Sequence, residues 1–243
     1  MLTYKSLWIG TKLSPLEQLC INSFISKGQQ FELYCYKDIE GIPDNCIIKD
    51  ANTIIKEDSI VLSSNGSPAA FSDWFRYEVL QKTGGIWVDT DVFLLHENPT
   101  SKPFLLADEG NGKVNNAILS IPSNHPSLDY CITECKEISE NTKWGALGPG
   151  LITKMVAKFG LSSQLSPTYE LYPINPDKWH WMLNPSTFQL AEKSLKYATY
   201  VHLWNEKIKR SNYNKFTAPP PGSFLEKLYI DSNLFNFDYS QDE

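Results

Sequence analysis

Residues 67–95 read SPAAFSDWFRYEVLQKTGGIWVDTDVFLL, and the fold of this 243-residue chain turns on how that stretch divides. Ser67 and Pro68 mark a helix start: a Ser oxygen accepts from the unpaired N–H groups there, and Pro has no N–H to leave unpaired. Gly84 stops the helix. The run from Ile86 to Leu95 is apolar apart from Asp89, Thr90 and Asp91, and it predicts a strand. Side chains alternate along a strand, so Asp89 and Asp91 are expected on one face. Two like charges beside apolar residues are costly unless a cation compensates. The pair therefore points to a metal and its ligand. A solvated strand end is the plainer alternative.

Upstream, YKSLWIG (4–10) predicts a strand and SPLEQLCINSFISKG (14–28) a helix. Ser14 is its N-cap, Pro15 its first residue, Glu17 completes a capping box, and Gly28 ends it. QFELYCYK (30–37) alternates Phe31, Leu33 and Cys35 against Glu32, Tyr34 and Tyr36, which predicts a second strand. Strand, helix and strand at this spacing make a βαβ unit and start a parallel sheet. The polar connection 38–66 is read as irregular, with room for a short helix. The aspartates then fall at the C-terminal end of a strand, where open α/β sheets bind ligands. Downstream, FLLAD (104–108) and NNAILSIP (115–122) read as strands, and HPSLDYCITECKEISE (125–140) and GPGLITKMVAKFG (148–160) as helices. YELYPINP (169–176) and YATYVHLWN (197–205) read as extended, and the Pro-rich tail 209–228 as a loop leading into a short helix.

The formal net charge of −6 argues against a nucleic-acid partner. Five cysteines, an odd number with no CxxC, read as reduced thiols in a cytosol. The N-terminus shows no signal-peptide pattern, and no apolar run is long enough to span a membrane. A cytoplasmic protein is expected.

Hard divalent cations take oxygen ligands, keep several waters and share substrate phosphates, so one or two protein carboxylates suffice when a diphosphate brings the rest. Order and spacing then carry a resemblance. Ser72, Asp73 and Arg76 on the helix, followed by Gly84, Gly85, Trp87, Asp89 and Asp91, resemble the DXD-containing sugar-binding region of glycosyltransferases. The similarity is to the family of capsular-polysaccharide and lipooligosaccharide sugar transferases and yeast-type initiating mannosyltransferases, with glucosylating toxins more distant. It implies an α/β GT-A fold, Rossmann-like and nucleotide-sugar-binding, with a mixed, mostly parallel central sheet in a single domain over 1–243. Residues 1–110 would form the donor half, and 111–243 the acceptor half with a C-terminal metal-site segment. It implies a metal-dependent, retaining transfer of a hexose from a nucleotide sugar, expected to be a UDP-sugar, with Mn²⁺ or Mg²⁺. The acceptor would be a polysaccharide, lipooligosaccharide or lipid-linked glycan.

By the same resemblance Asp91 is the direct metal ligand, while Asp89 contacts ribose and sugar hydroxyls and reaches the metal through water. Asp73 would accept from sugar hydroxyls and Arg76 would steady sugar or phosphate oxygens; a helical i,i+3 ion pair is the bland alternative. Trp8 resembles the toxin-type Trp that stacks on the base, or else packs in the core. His202 completes the metal site, with Trp204 as a wall, or is a core histidine. Relatives often carry a second Trp after it; this chain has EKIKR (206–210), so Lys207, Lys209 and Arg210 either meet phosphates or form a solvated basic run. Asn115 and Asn116 make a turn, or Asn116 touches donor or acceptor. Gly148 gives the acceptor close approach, or Pro149 merely starts a helix. Asp108 and Glu109 are expected to face the acceptor. The tail residues Lys207, Lys209, Arg210, Lys215 and Phe216 are the expected peripheral contact with the inner membrane face. Two rival classes share the motif: a haloacid-dehalogenase-type phosphohydrolase with Asp89 as nucleophile and Asp91 as acid, and a protein-glucosylating, toxin-like effector. A non-catalytic binding module is a third.

Overall fold

A computed structural model of the chain describes residues 1–64, 66–99, 101–143, 145–211 and 213–233. The expected βαβ unit opens it: β1 (Thr3–Trp8), α1 (Pro15–Ile25) and β2 (Gln30–Cys35), with β1 and β2 parallel. The Glu17 carboxylate returns to the Ser14 N–H at 2.9 Å, as the capping box requires. Inside the 38–66 connection lies a strand that the sequence reading omits, β3 (Ile47–Asp50). It is the edge of the sheet and half covered, and its four residues carry too little alternation to stand out from a polar stretch.

Next come α2 (Ala69–Thr83) and β4 (Ile86–Val88). The Gly84–Gly85 corner between them needs glycine at its second position. Gly85 has φ +87°, and a Cβ there would lie 2.7 Å from Lys5 Cε and 3.0 Å from the Thr3 carbonyl. The single strand expected over 86–95 is in fact two. β4 stops at Val88, and β5 (Val92–Leu94) pairs antiparallel with β8 (Tyr200–His202) in a separate two-stranded sheet. Between them Asp89–Asp91 form a turn closed by the Val92 N–H on the Asp89 carbonyl at 3.0 Å. A turn, not strand alternation, brings the two aspartates together.

The chain continues through β6 (Leu105–Asp108), β7 (Val114–Ser120), α3 (Pro126–Cys135) and α4 (Pro149–Lys158). After α4 it runs through α5 (Thr168–Leu171) and α6 (Phe188–Ser194) to β8, then α7 (Asn205–Ile208) and α8 (Phe224–Ser232). Where 169–176 was read as extended, the segment instead begins with the single helical turn α5, closed by the Tyr172 N–H on the Thr168 carbonyl. The main sheet runs β3-β2-β1-β4-β7-β6; β7 opposes its neighbours β4 and β6, while β3, β2, β1 and β4 are mutually parallel. Strand alternation feeds two cores. Tyr4, Phe31, Leu33, Ile86 and Val88 pack with α1 and α8 in one; Leu7, Tyr34, Trp87 and Leu106 pack with α2, α3 and α4 in the other. Among the described residues no helix is long and apolar enough to cross a membrane.

Candidate active site

The turn that ends β4 starts the site. Asp89, Asp91 and His202 offer ligand atoms that all lie within 4.8 Å of one another. The β5–β8 ladder sets this, because Val92 pairs with His202 and so places the imidazole beside the preceding Asp91. His202 Nε2 lies 3.2 Å from Asp91 Oδ1, and Nδ1 is buried with no partner among the described residues. Asp91 Oδ2 accepts the Asn205 backbone N–H at 2.8 Å. That N–H is aimed by Trp204, whose backbone is left-handed at φ 52°, a costly conformation for an aromatic residue. Its indole packs 4.0 Å from the His202 ring and donates to the Ile174 carbonyl at 2.8 Å, as the expected wall.

Burial would raise the Asp91 carboxyl, but His202 and the Asn205 N–H hold it down at about 2. Burial would lower the imidazole, and Asp91, then Asp89 and Glu109, push it up instead. Three groups with this mutual charge suit a divalent cation: two carboxylates and an imidazole are a donor set that Mn²⁺ accepts, and one ring nitrogen has no other partner.

Behind this cluster Arg76 is the hub. Its guanidinium lies 3.1 Å from Asp73 Oδ1 and 3.2 Å from Asp89 Oδ1, and donates to the Asn116 carbonyl at 2.6 Å. It also stacks 5.0 Å over Trp87, whose Nε1–H donates to Asp89 at 2.7 Å. Arg76 and Asp73 are both buried. The i,i+3 ion pair is present, buried and shared with Asp89 and the Asn116 carbonyl. Asn116 does not stand in a turn: it lies in β7 and donates to Asp73 Oδ1 at 2.9 Å. Asp73, Arg76, Asp89 and Asn116 thus form one network beside the Asp91–His202 pair.

Burial raises the Asp73 carboxyl to about 6, against the pull of Arg76 and Asn116. A folded value above the unfolded one means a stabilising contribution present at low pH and lost as pH rises through 6. The stability of the wild type minus that of Asp73→Asn is therefore expected to fall by about 3 kcal/mol between about pH 3 and about pH 7, measured by chemical denaturation.

Gly148, the residue before Pro149 and α4, closes over this network. A Cβ there would lie 2.9 Å from Asp73 Oδ2, 3.0 Å from Oδ1 and 3.2 Å from Asn116 Oδ1. Gly148→Ala is expected to cost about 1–3 kcal/mol of stability by overpacking and to block access to the Asp73 carboxylate. Thermal melts and ligand titration check both.

Trp8 is half-buried at the end of β1, its Nε1 enclosed without a partner among the described residues. Lys215 lies 5.7 Å over its ring and binds Glu17. Glu17 is fully buried and also accepts from Asn205 Nδ2 at 3.1 Å. This Glu17–Asn205–Lys215 junction was not foreseen; the sequence marks Glu17 only as a capping residue.

Lys215 has a side chain only 17% exposed and held by Glu17, while Phe216 is exposed. Lys209 and Arg210 turn to Glu206, at 3.8 and 3.0 Å, on the surface, which fits the solvated basic run. Asp108 caps the β6–β7 turn by accepting the Gly110 N–H at 2.5 Å, while Glu109 is buried.

Two family models match: a glycosyltransferase sugar-binding region containing a DXD motif over residues 14–105, and an alpha 1,4-glycosyltransferase conserved region over 120–230. Lactosylceramide 4-alpha-galactosyltransferase of Rattus norvegicus is 31% identical over 149 residues, 56% of this chain and 41% of that protein. The Homo sapiens protein of that name is 24% identical over 153 residues, 58% of this chain and 43% of its own. Homo sapiens alpha-1,4-N-acetylglucosaminyltransferase is 28% identical over 152 residues, 55% and 42% of the two chains. The chain thus spans less than half the length of these relatives. Among solved structures, PaToxG glycosyltransferase superposes with a TM-score of 0.51 at 18% identity, covering 67% of this chain and 71% of that one, which shows a shared GT-A fold.

Proposed function

We propose that the chain moves a hexose from a UDP-sugar to a glycan or glycolipid, a reading that rests on its match to the glycosyltransferase sugar-binding region containing a DXD motif. The relatives named for alpha-1,4 transfer make galactose or N-acetylglucosamine the sugar to test first, with an alpha-1,4 linkage and retained configuration. Asp91, His202 and Asp89 would hold a divalent cation, Mn²⁺ by the donor set. The bound cation supplies neutralisation of the charge that gathers on the departing diphosphate. Trp8 offers a face for the base. Asp73 accepts from sugar hydroxyls, and Arg76 keeps Asp73 and Asp89 in place at once.

The observation that carries this reading is the cluster of Asp89, Asp91 and His202 within 4.8 Å, the two aspartates inside the matched sugar-binding region and the histidine inside the matched alpha 1,4-glycosyltransferase region. A thermal-shift screen of UDP-galactose, UDP-N-acetylglucosamine, UDP-glucose and GDP-mannose, each with and without Mn²⁺, tests the proposal. Stabilisation by one UDP-sugar only with metal, followed by release of UDP, is expected. Indifference to every nucleotide sugar sinks it.

A further inference from the structure

The two oxygens of Glu17 serve different parts of the chain. Oε2 takes the Ser14 N–H at 2.9 Å and the Ser14 hydroxyl, which is the local capping duty. Oε1 takes Asn205 Nδ2 at 3.1 Å and the Lys215 ammonium, from 188 and 198 residues away. Glu17 has no solvent exposure, and a carboxylate taken from water is expensive unless a cation accompanies it. Lys215 supplies that cation. Helix capping alone asks for neither the burial nor the distant partners.

Asn205 is where this second duty meets the site. Its backbone N–H holds Asp91 Oδ2 at 2.8 Å, while His202 Nε2 lies 3.2 Å from Oδ1. Together the two contacts fix the plane of the carboxylate. The N–H points there because Trp204 has its left-handed φ of 52°, a conformation that persists only when its surroundings impose it. Two restraints flank that residue. The Trp204 indole is held on the Ile174 carbonyl at 2.8 Å, and the Asn205 side chain is held on Glu17. Among the described residues the Glu17 bond is the one hydrogen bond of the Asn205 side chain, whose Oδ1 is buried without a partner. The same helix grips the other arm of the site. Ser23 Oγ in α1 accepts the Leu94 N–H at 2.9 Å, on β5, the strand that follows Asp91. So α1 braces both β5 and the start of α7.

We propose that Glu17 is a positioning residue for Asp91, acting through Asn205, a role that rests on the reading of Asp89, Asp91 and His202 as a divalent-cation site. The role is geometric. Glu17 orients the Asn205 amide, and the held amide keeps Trp204 left-handed. The Asn205 N–H aimed in this way sets the Asp91 carboxylate for the cation. Groups one step behind a metal ligand typically carry about 10–100-fold in metal affinity.

The test is Mn²⁺ binding to the whole chain, read by electron paramagnetic resonance of the free ion, with each protein held below its own melting transition. It compares wild type, Asn205→Ala, Glu17→Gln and Ser14→Ala. Asn205→Ala keeps the backbone N–H on Asp91 and removes only the link to Glu17. Glu17→Gln breaks the same link from the other side. Ser14→Ala removes the hydroxyl from the other Glu17 oxygen and so controls for destabilisation at the cap. Asn205→Ala and Glu17→Gln are each expected to raise the Mn²⁺ dissociation constant by about 10-fold or more. Ser14→Ala is expected to lower the melting temperature and to hold that constant within about twofold of wild type. UDP release by Asn205→Ala should need about 10-fold more Mn²⁺ for half its maximum, with a plateau near that of wild type. Mn²⁺ binding by Asn205→Ala within about twofold of wild type overturns the role. Equal weakening in Ser14→Ala also overturns it, because lost stability then explains both. A wild type that binds no Mn²⁺ overturns the cation site itself, and this role with it. Weakened Mn²⁺ binding in the two variants of a wild type that releases no UDP supports the role and counts against the transferase reading alone.

Discussion

Asp91→Asn is expected to cut UDP release by about 10³-fold and to erase the Mn²⁺-dependent thermal shift, because electrostatic support of the leaving group is the largest catalytic term such a site supplies. The side chain keeps its volume, so the comparison isolates charge. His202 loses its 3.2 Å partner, and one carboxylate disappears from the donor set. The substitution also has a cost without any ligand. Asp91 is held at about 2, below its unfolded value, so it stabilises the fold above that unfolded value and the contribution fades as pH drops through 2. At neutral pH the variant is therefore expected to be less stable than the wild type. Differential scanning calorimetry with and without Mn²⁺ separates the two effects. A variant that still shifts with metal and still turns over would remove Asp91 from the site.

Arg76→Ala carries the largest expected effect on stability. The guanidinium is buried and serves Asp73, Asp89 and the Asn116 carbonyl together. Its removal leaves the buried Asp73 carboxylate without a cation, a loss of about 3–5 kcal/mol. For a chain of this size that corresponds to a fall in melting temperature on the order of 10 °C. Arg76→Lys should recover only part of it, since one ammonium on a flexible stem cannot replace a planar fork reaching three acceptors. A melting temperature within about 2 °C of wild type would contradict the hub, because that equals no more than about 1 kcal/mol.

What the sequence made legible was local. The Ser67–Pro68 start, the Gly84–Gly85 corner and the spacing of Asp73, Arg76, Asp89 and Asp91 lie within two dozen residues, where helix and turn chemistry leave direct traces. The break between β4 and β5 left none, because Val92, Phe93 and Leu94 continue the apolar run; only their change of partner to β8 reveals it. β3 was hidden by its shortness and edge position. His202 was reached through resemblance, since a lone His on an apolar strand has no periodic signal. Glu17 and Lys215 are 198 residues apart, and Asn205 meets Glu17 across 188. No spacing rule joins residues at that separation; the packing of α7 and the following loop on α1 does.

That junction has a consequence for the order of events during synthesis. The DXD turn and its helix are complete once residue 95 has left the ribosome, but the imidazole comes from β8 and the chain that anchors it to α1 ends at Lys215. Contacts at such separation form late, after the local ones. A nascent chain therefore exposes two aspartates and Arg76 with no third ligand and no lid on Glu17. The Asp89, Asp91 and His202 cluster is therefore complete only once β8 has formed.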